Sequence, residues 1–106
     1  VKVAVKNIFA QTMADAVGEE FLTLWENLGV RIERIVSHSH ASPEGFWYDQ
    51  ENDEWVIILR GSATLAFAGG ELIEMSAGDY LTIPRHLKHR VARTSGETVW
   101  LAVHLK

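Results

Sequence analysis

From Glu20 to the end of the chain, the sequence is cut into short apolar runs separated by turn residues, at intervals of about 8 to 12 residues. This punctuation constrains the fold more than any other feature, because it leaves no room for a helix of more than about two turns. "EFLTLWE" sets Phe21, Thr23 and Trp25 on one face and Leu22 and Leu24 on the other. "GVRIERIVSHSH" is rich in β-branched residues, and "EWVIILR" is a continuous apolar run. "SATLAFA" alternates Ala63, Leu65 and Phe67 against Ser62, Thr64 and Ala66, and Gly69-Gly70 then marks a hairpin turn. "ELIEM", "YLTIP", "HRVART" and "TVWLAVHL" follow, divided by the turns "AGD" and "SGE" and by the Pro84 corner. The reading is all-β, with about eight strands in a sandwich or barrel. A single flat sheet would leave one face and two edges open to water.

The first twenty residues lack this clear period. "FAQTMADAVGEE", around Met13, reads as either a helical turn or a loop. The chain therefore divides into an N-terminal segment, 1–20, packing on the barrel or on a partner subunit, and one β-barrel domain, 21–106. A net charge of −4 with interspersed signs gives no basic stripe, so no nucleic-acid partner is expected. There is no cysteine, which removes disulfides, thiolate metal sites and cysteine nucleophiles. No apolar stretch approaches the roughly 18 residues of a membrane span, and the start lacks a secretory apolar region. No membrane partner is expected, and the expected location is cytoplasmic.

His38 and His40 are two residues apart, a spacing that places both side chains on one face of a strand. Two neutral imidazoles suit Zn, Fe, Ni, Cu or Mn, with further ligands supplied from elsewhere. Glu54 opens the next strand, and His89 lies on a later one. A surface strand also carries such a histidine pair without any metal, so the pair alone leaves both readings open. His104 alternates with Trp100 and Ala102 and reads as a core-edge or surface histidine.

The spacing of these residues resembles that of the cupins, small β-barrel proteins with two signature motifs. The first is seen in His38, His40, Glu54, "WVIILR" and Gly61, and the second in Gly78, "DYLTI", Pro84, Arg85, His86, "LK" and His89. The resemblance covers roughly Gly29 to Leu105. It implies a cupin-type double-stranded β-helix, or jelly-roll barrel, behind a short irregular or helical N-terminal segment. It implies metal ligands at His38, His40, Glu54 and His89 for a divalent transition metal (Fe, Mn, Ni or Zn), turn glycines at Gly61 and Gly78, and a homodimer. The sequence departs from the motifs in four places. Ile32 stands where a glycine opens the first, His86 replaces a glycine of the second, and Arg93 stands where an asparagine often closes it. Thirteen residues separate His40 from Glu54, where the gap is usually short. Glu44, Asp49 and Glu51 in that insertion are competing ligands.

The insertion carries Phe46, Trp47 and Tyr48, which read as a plug over the barrel mouth, a lid over a ligand, or a subunit contact. Arg34, Arg60, Arg85, Arg90 and Arg93 include candidate anion anchors, but each reads first as a solvated strand residue. Two functions are expected to compete. One is a metal-dependent enzyme, dioxygenase- or isomerase-like, acting on a small oxygen-rich metabolite with Glu54 or His86 as catalytic base. The other is a non-catalytic ligand-binding or sensor module.

Overall fold

The computed structural model describes residues 2–10 and 18–106. The expectation of a helical turn or loop around Met13 falls outside them. The described residues form eight strands and no α-helix: β1 (Gly18–Glu26), β2 (Val30–His38), β3 (Asp53–Arg60), β4 (Ser62–Phe67), β5 (Leu72–Ser76), β6 (Tyr80–Ile83), β7 (His89–Thr94) and β8 (Thr98–Leu105). They make two antiparallel sheets, one ordered β1-β2-β8-β3-β6 and the other β5-β4-β7. The expected all-β layered fold is present.

The turns form where the sequence supplies their chemistry. Asn27 Oδ1 accepts from the amides of Gly29 and Val30 at 2.8 and 2.9 Å, which closes the β1–β2 hairpin. Gly69 and Gly70 both have positive φ at the β4–β5 turn. At Gly61 the chain passes from one sheet to the other, with φ +86°. Beside it Ser95 and Thr98 fasten the β7–β8 turn to Ser62: Ser62 N donates to Ser95 Oγ, and Thr98 Oγ1 donates to Ser62 O.

Alternation along the strands decides what lies between the sheets. Val56 and Ile58 of β3, Leu65 and Phe67 of β4, Val91 of β7 and Trp100 of β8 form the heart of the core. Ile58 is fully buried, a burial that stabilises by roughly 1.5–3 kcal/mol. One part of the expected alternation changes. The β1–β2 register shifts between Thr23 and Trp25, so Trp25 stands opposite Ile32 rather than continuing the face of Phe21 and Thr23. An extra residue in an edge strand swings the side chains beyond it in this way.

The outer face of the five-stranded sheet is partly covered by the N-terminal segment. Arg34 is buried there, and its Nη1 donates to the carbonyls of Ile8 and Ala10 at 3.2 and 2.6 Å. The Arg60 guanidinium lies 4.5 Å from the centre of the Phe9 ring and pairs with Glu97.

Candidate functional site

A cavity of about 210 Å³ lies between the sheets. Its floor is apolar, built by Ile35, Val56, Leu65, Ile83, Val91 and Trp100. Its polar groups come from five strands and one loop: Glu19, Arg31, Glu33, Glu54, His89 and His104, with Tyr48 and Gln50. A few convergent polar groups over an apolar floor is the usual composition of a small-molecule site.

Glu54 is buried and stands directly across from His104 on β8 and Ile83 on β6. Burial raises its pKa above the ordinary value, against the opposing pull of His104 and His89. Its neighbour Glu33 adds to the rise, while the Gln50 amide favours the charged form. His104 Nε2 lies 3.2 Å from Glu33 Oε1. His89 Nδ1 lies 2.9 Å from the carbonyl of Leu87 and donates to it, so in the neutral ring Nε2 is the acceptor nitrogen. Burial also raises the Tyr48 phenol pKa, helped by Glu19 and Glu54.

The long loop is fixed to the barrel through Tyr48. Its amide donates to the His89 carbonyl at 2.7 Å, the His89 amide returns to Tyr48 O at 3.1 Å, and the two rings stack at 5.4 Å. Phe46 meets Tyr48 edge-on at 4.8 Å. Of the three aromatics only Tyr48 lines the cavity; Phe46 and Trp47 stay substantially exposed.

The residues expected from the sequence separate into two groups. Glu54 and His89 meet at the cavity, while His38, His40 and His86 do not line it. β2 ends at His38, and Ser39 follows with φ +48°. His38 therefore shares a strand face with Arg34 and Val36, opposite to Glu33 and Ile35, and its Nε2 lies 2.6 Å from Glu20. The break at Ser39 turns His40 to the other side, where it approaches Glu19 at 3.3 Å and its backbone is held by Thr94. His86 is exposed and paired with Asp49 at 2.9 Å. The competing ligands Glu44, Asp49 and Glu51 are all exposed.

The expected metal set of His38, His40, Glu54 and His89 therefore has no common seat, since one member points out of the opposite face of the sheet. Among the described residues, no three His, Asp or Glu side chains converge as metal ligands. The residues present do not fit a four-ligand centre. Of the expected anion anchors, Arg34 and Arg60 are engaged elsewhere, Arg90 donates to Ser42 O, and Arg85 and Arg93 are exposed. The sequence reading missed Arg31, Glu33, Gln50 and His104 as cavity residues. For Arg31 and Glu33 the one signal was the alternation Arg31, Glu33, Ile35, which marks a single strand face without saying that it points inward.

Two packed antiparallel sheets around a ligand-sized cavity define a jelly-roll binding barrel. The family model of the cupin domain matches residues 32–104, and the chain belongs to the cupins. Among solved structures it is similar to a protein of Ralstonia eutropha provisionally identified as a mannose-6-phosphate isomerase, at 46% identity and TM-score 0.92, over 98% of this chain and 99% of that one. A cupin superfamily protein of Desulfitobacterium hafniense matches at 20% identity and TM-score 0.73, over 97% and 98% of the two chains. An RmlC-like cupin of Methanocaldococcus jannaschii matches at 18% identity and TM-score 0.71, over 90% and 86%. No curated protein matches at a significant level.

Proposed function

We propose that this cupin binds a small oxygen-rich metabolite in the cavity and moves a proton on it, as an isomerase does. The observation that carries the reading is Glu54, a buried carboxyl with a raised pKa in a cavity that also holds the His89 imidazole and the Tyr48 phenol. A carboxylate whose pKa is raised by burial is a stronger base than an exposed one. Glu54 removes the proton from the hydroxyl-bearing carbon next to a carbonyl, giving an enediolate. The hydroxyl proton passes by way of His89 Nε2 to the former carbonyl oxygen, and the protonated Glu54 carboxyl returns its proton to the former carbonyl carbon. His89 and Tyr48 are placed to hold the substrate oxygens. Every step is assigned to side chains. The provisional identification of the Ralstonia protein as a mannose-6-phosphate isomerase supports an isomerase reading.

The test is solvent-proton exchange. Mannose 6-phosphate and a panel of small hydroxy-aldehydes and hydroxy-ketones are incubated with the protein in D2O and followed by NMR. Deuterium should enter the carbon beside the carbonyl of at least one compound, and Glu54→Gln should slow this by roughly 10²–10⁴-fold. Binding without exchange would favour the non-catalytic module and sink the isomerase reading.

We also propose that the chain pairs with a second copy through the outer face of the five-stranded sheet. Trp25, Ile32, Val103 and Trp55 follow one another in register across β1, β2, β8 and β3, and Trp55 packs on Tyr80 at 5.5 Å. This apolar row, with Trp25 half exposed at its end, supports that reading. The proposed location is cytoplasmic.

A further inference from the structure

Beside the main cavity lies a smaller one of about 120 Å³, lined by Arg31, Gln50, Asn52, His104 and Lys106. Its volume is roughly four times a water molecule's share of the liquid. The lining includes no Asp or Glu side chain; it offers the Arg31 guanidinium and two amides, beside an imidazole and an ammonium that are paired with Glu33 and Glu26. Arg31, Gln50 and His104 also line the main cavity, so the two spaces share a wall.

The neighbouring carboxylates are already engaged. Glu26 stands opposite Arg31 in the β1–β2 register, but it is held by the Lys106 ammonium, which lowers its pKa. Glu33 lies against His104 at 3.2 Å. Among the described residues Arg31 forms no ion pair; its Nε is buried without a hydrogen-bond partner, as are those of Arg34 and Arg90, but those two guanidiniums bond to backbone carbonyls through their Nη atoms. The Gln50 side-chain oxygen is also buried and unpartnered, but as an acceptor it would take a ligand hydroxyl rather than an oxyanion. Buried polar atoms normally find partners, and an unpaired donor on a cation is the more costly kind to leave.

We propose that Arg31, at the junction of the two cavities, anchors the anionic end of the ligand, a phosphate or carboxylate group held in the smaller cavity while the rest lies against Glu54 and His89. The planar guanidinium suits this role because it grips an oxyanion through two parallel N–H donors. Gln50 and Asn52 contribute amide donors, while the Lys106 ammonium in the same lining is already paired with Glu26. The substrate class narrows from an oxygen-rich metabolite to an anionic one. That last step rests on reading the main cavity as the substrate site, whereas the anion site itself does not.

The test is calorimetric titration at constant ionic strength, with inorganic phosphate in one arm, acetate in a second and chloride as the balancing salt. The wild-type chain should bind one of the two oxyanions saturably, and the preferred arm distinguishes phosphate from carboxylate. Arg31→Ala should weaken that binding at least about tenfold, in line with the loss of a charge-assisted hydrogen-bond pair. Arg31→Lys, which keeps the charge and guards against misfolding of the alanine variant, should bind between the two. Arg60→Ala removes a cation elsewhere on the surface and should bind as the wild type does. Absence of oxyanion binding in the wild type, or an equal loss in Arg60→Ala, would overturn the site. Neither result touches proton exchange at Glu54. Conversely, oxyanion binding without exchange in any compound counts against the isomerase reading alone.

Discussion

Gly61→Ala should be far more damaging than Gly78→Ala, although both glycines belong to the signature motifs and both have positive φ, +86° and +94°. For an alanine, the left-handed backbone costs about 1–2 kcal/mol at either position. At Gly78 nothing lies within 4 Å of an added Cβ, so that is the whole cost. At Gly61 the Cβ would stand 2.6 Å from the Glu97 carbonyl oxygen, 2.6 Å from Ser95 Oγ and 2.8 Å from Thr98 Oγ1. The hydroxyls can rotate away, but the carbonyl belongs to the turn that crosses from β7 to β8. Forcing that turn outward adds about 1–3 kcal/mol, as other overpacking does. The sum is about 2–5 kcal/mol, a large part of the ~5–15 kcal/mol that holds such a domain together. Urea titration followed by tryptophan fluorescence and far-ultraviolet circular dichroism would compare the two variants. At about 4–8 °C per kcal/mol, Gly61→Ala should also lower the Tm by roughly 10 °C or more. Equal destabilisation of the two variants, within about 0.5 kcal/mol, would refute the claim that crowding at the crossover fixes this glycine.

Further expectations concern the cavity and the outer face. The raised pKa of Glu54 means that the folded state holds this proton more tightly than the unfolded one. Its contribution to stability is complete below the unfolded value of about 4.3 and is lost as pH rises through the folded value. Glu54→Gln should therefore be the more stable form at neutral pH, and its advantage should disappear in acid; an advantage that grows as pH falls would contradict the burial argument. Ser37 accepts from Trp100 Nε1 at 3.1 Å and donates to Glu19 at 2.9 Å. Ser37→Ala should cost about 1–3 kcal/mol in chemical denaturation, and a change below about 0.5 kcal/mol would mean the buried indole finds another acceptor. Because His38 faces away from the cavity, His38→Ala should leave metal content, measured by elemental analysis, as it is in the wild type; a drop would restore the four-ligand reading. Trp55→Glu should shift sedimentation toward the monomer, and an unchanged dimer would place the subunit contact elsewhere.

The order and number of strands, the Gly69-Gly70 hairpin and the turns at Gly61 and Gly78 were legible in the sequence. Each depends on a local rule: alternation, or the freedom of glycine at positive φ. The convergence of Glu54 and His89 was also legible, because the spacing of the two motifs carried it. What only the tertiary structure decided is which face of β2 points inward. Alternation gives a strand two faces, and on β2 both mix apolar and charged residues. Packing settled the matter: the N-terminal carbonyls satisfy Arg34 on one side, while Ile35 and Trp100 close the core on the other. That choice sends His38 outward and brings Arg31 and Glu33 to the cavity. The single positive φ at Ser39 then parts His38 from His40. A two-residue spacing guarantees a shared face only while the strand continues, and here the strand stops at the first histidine.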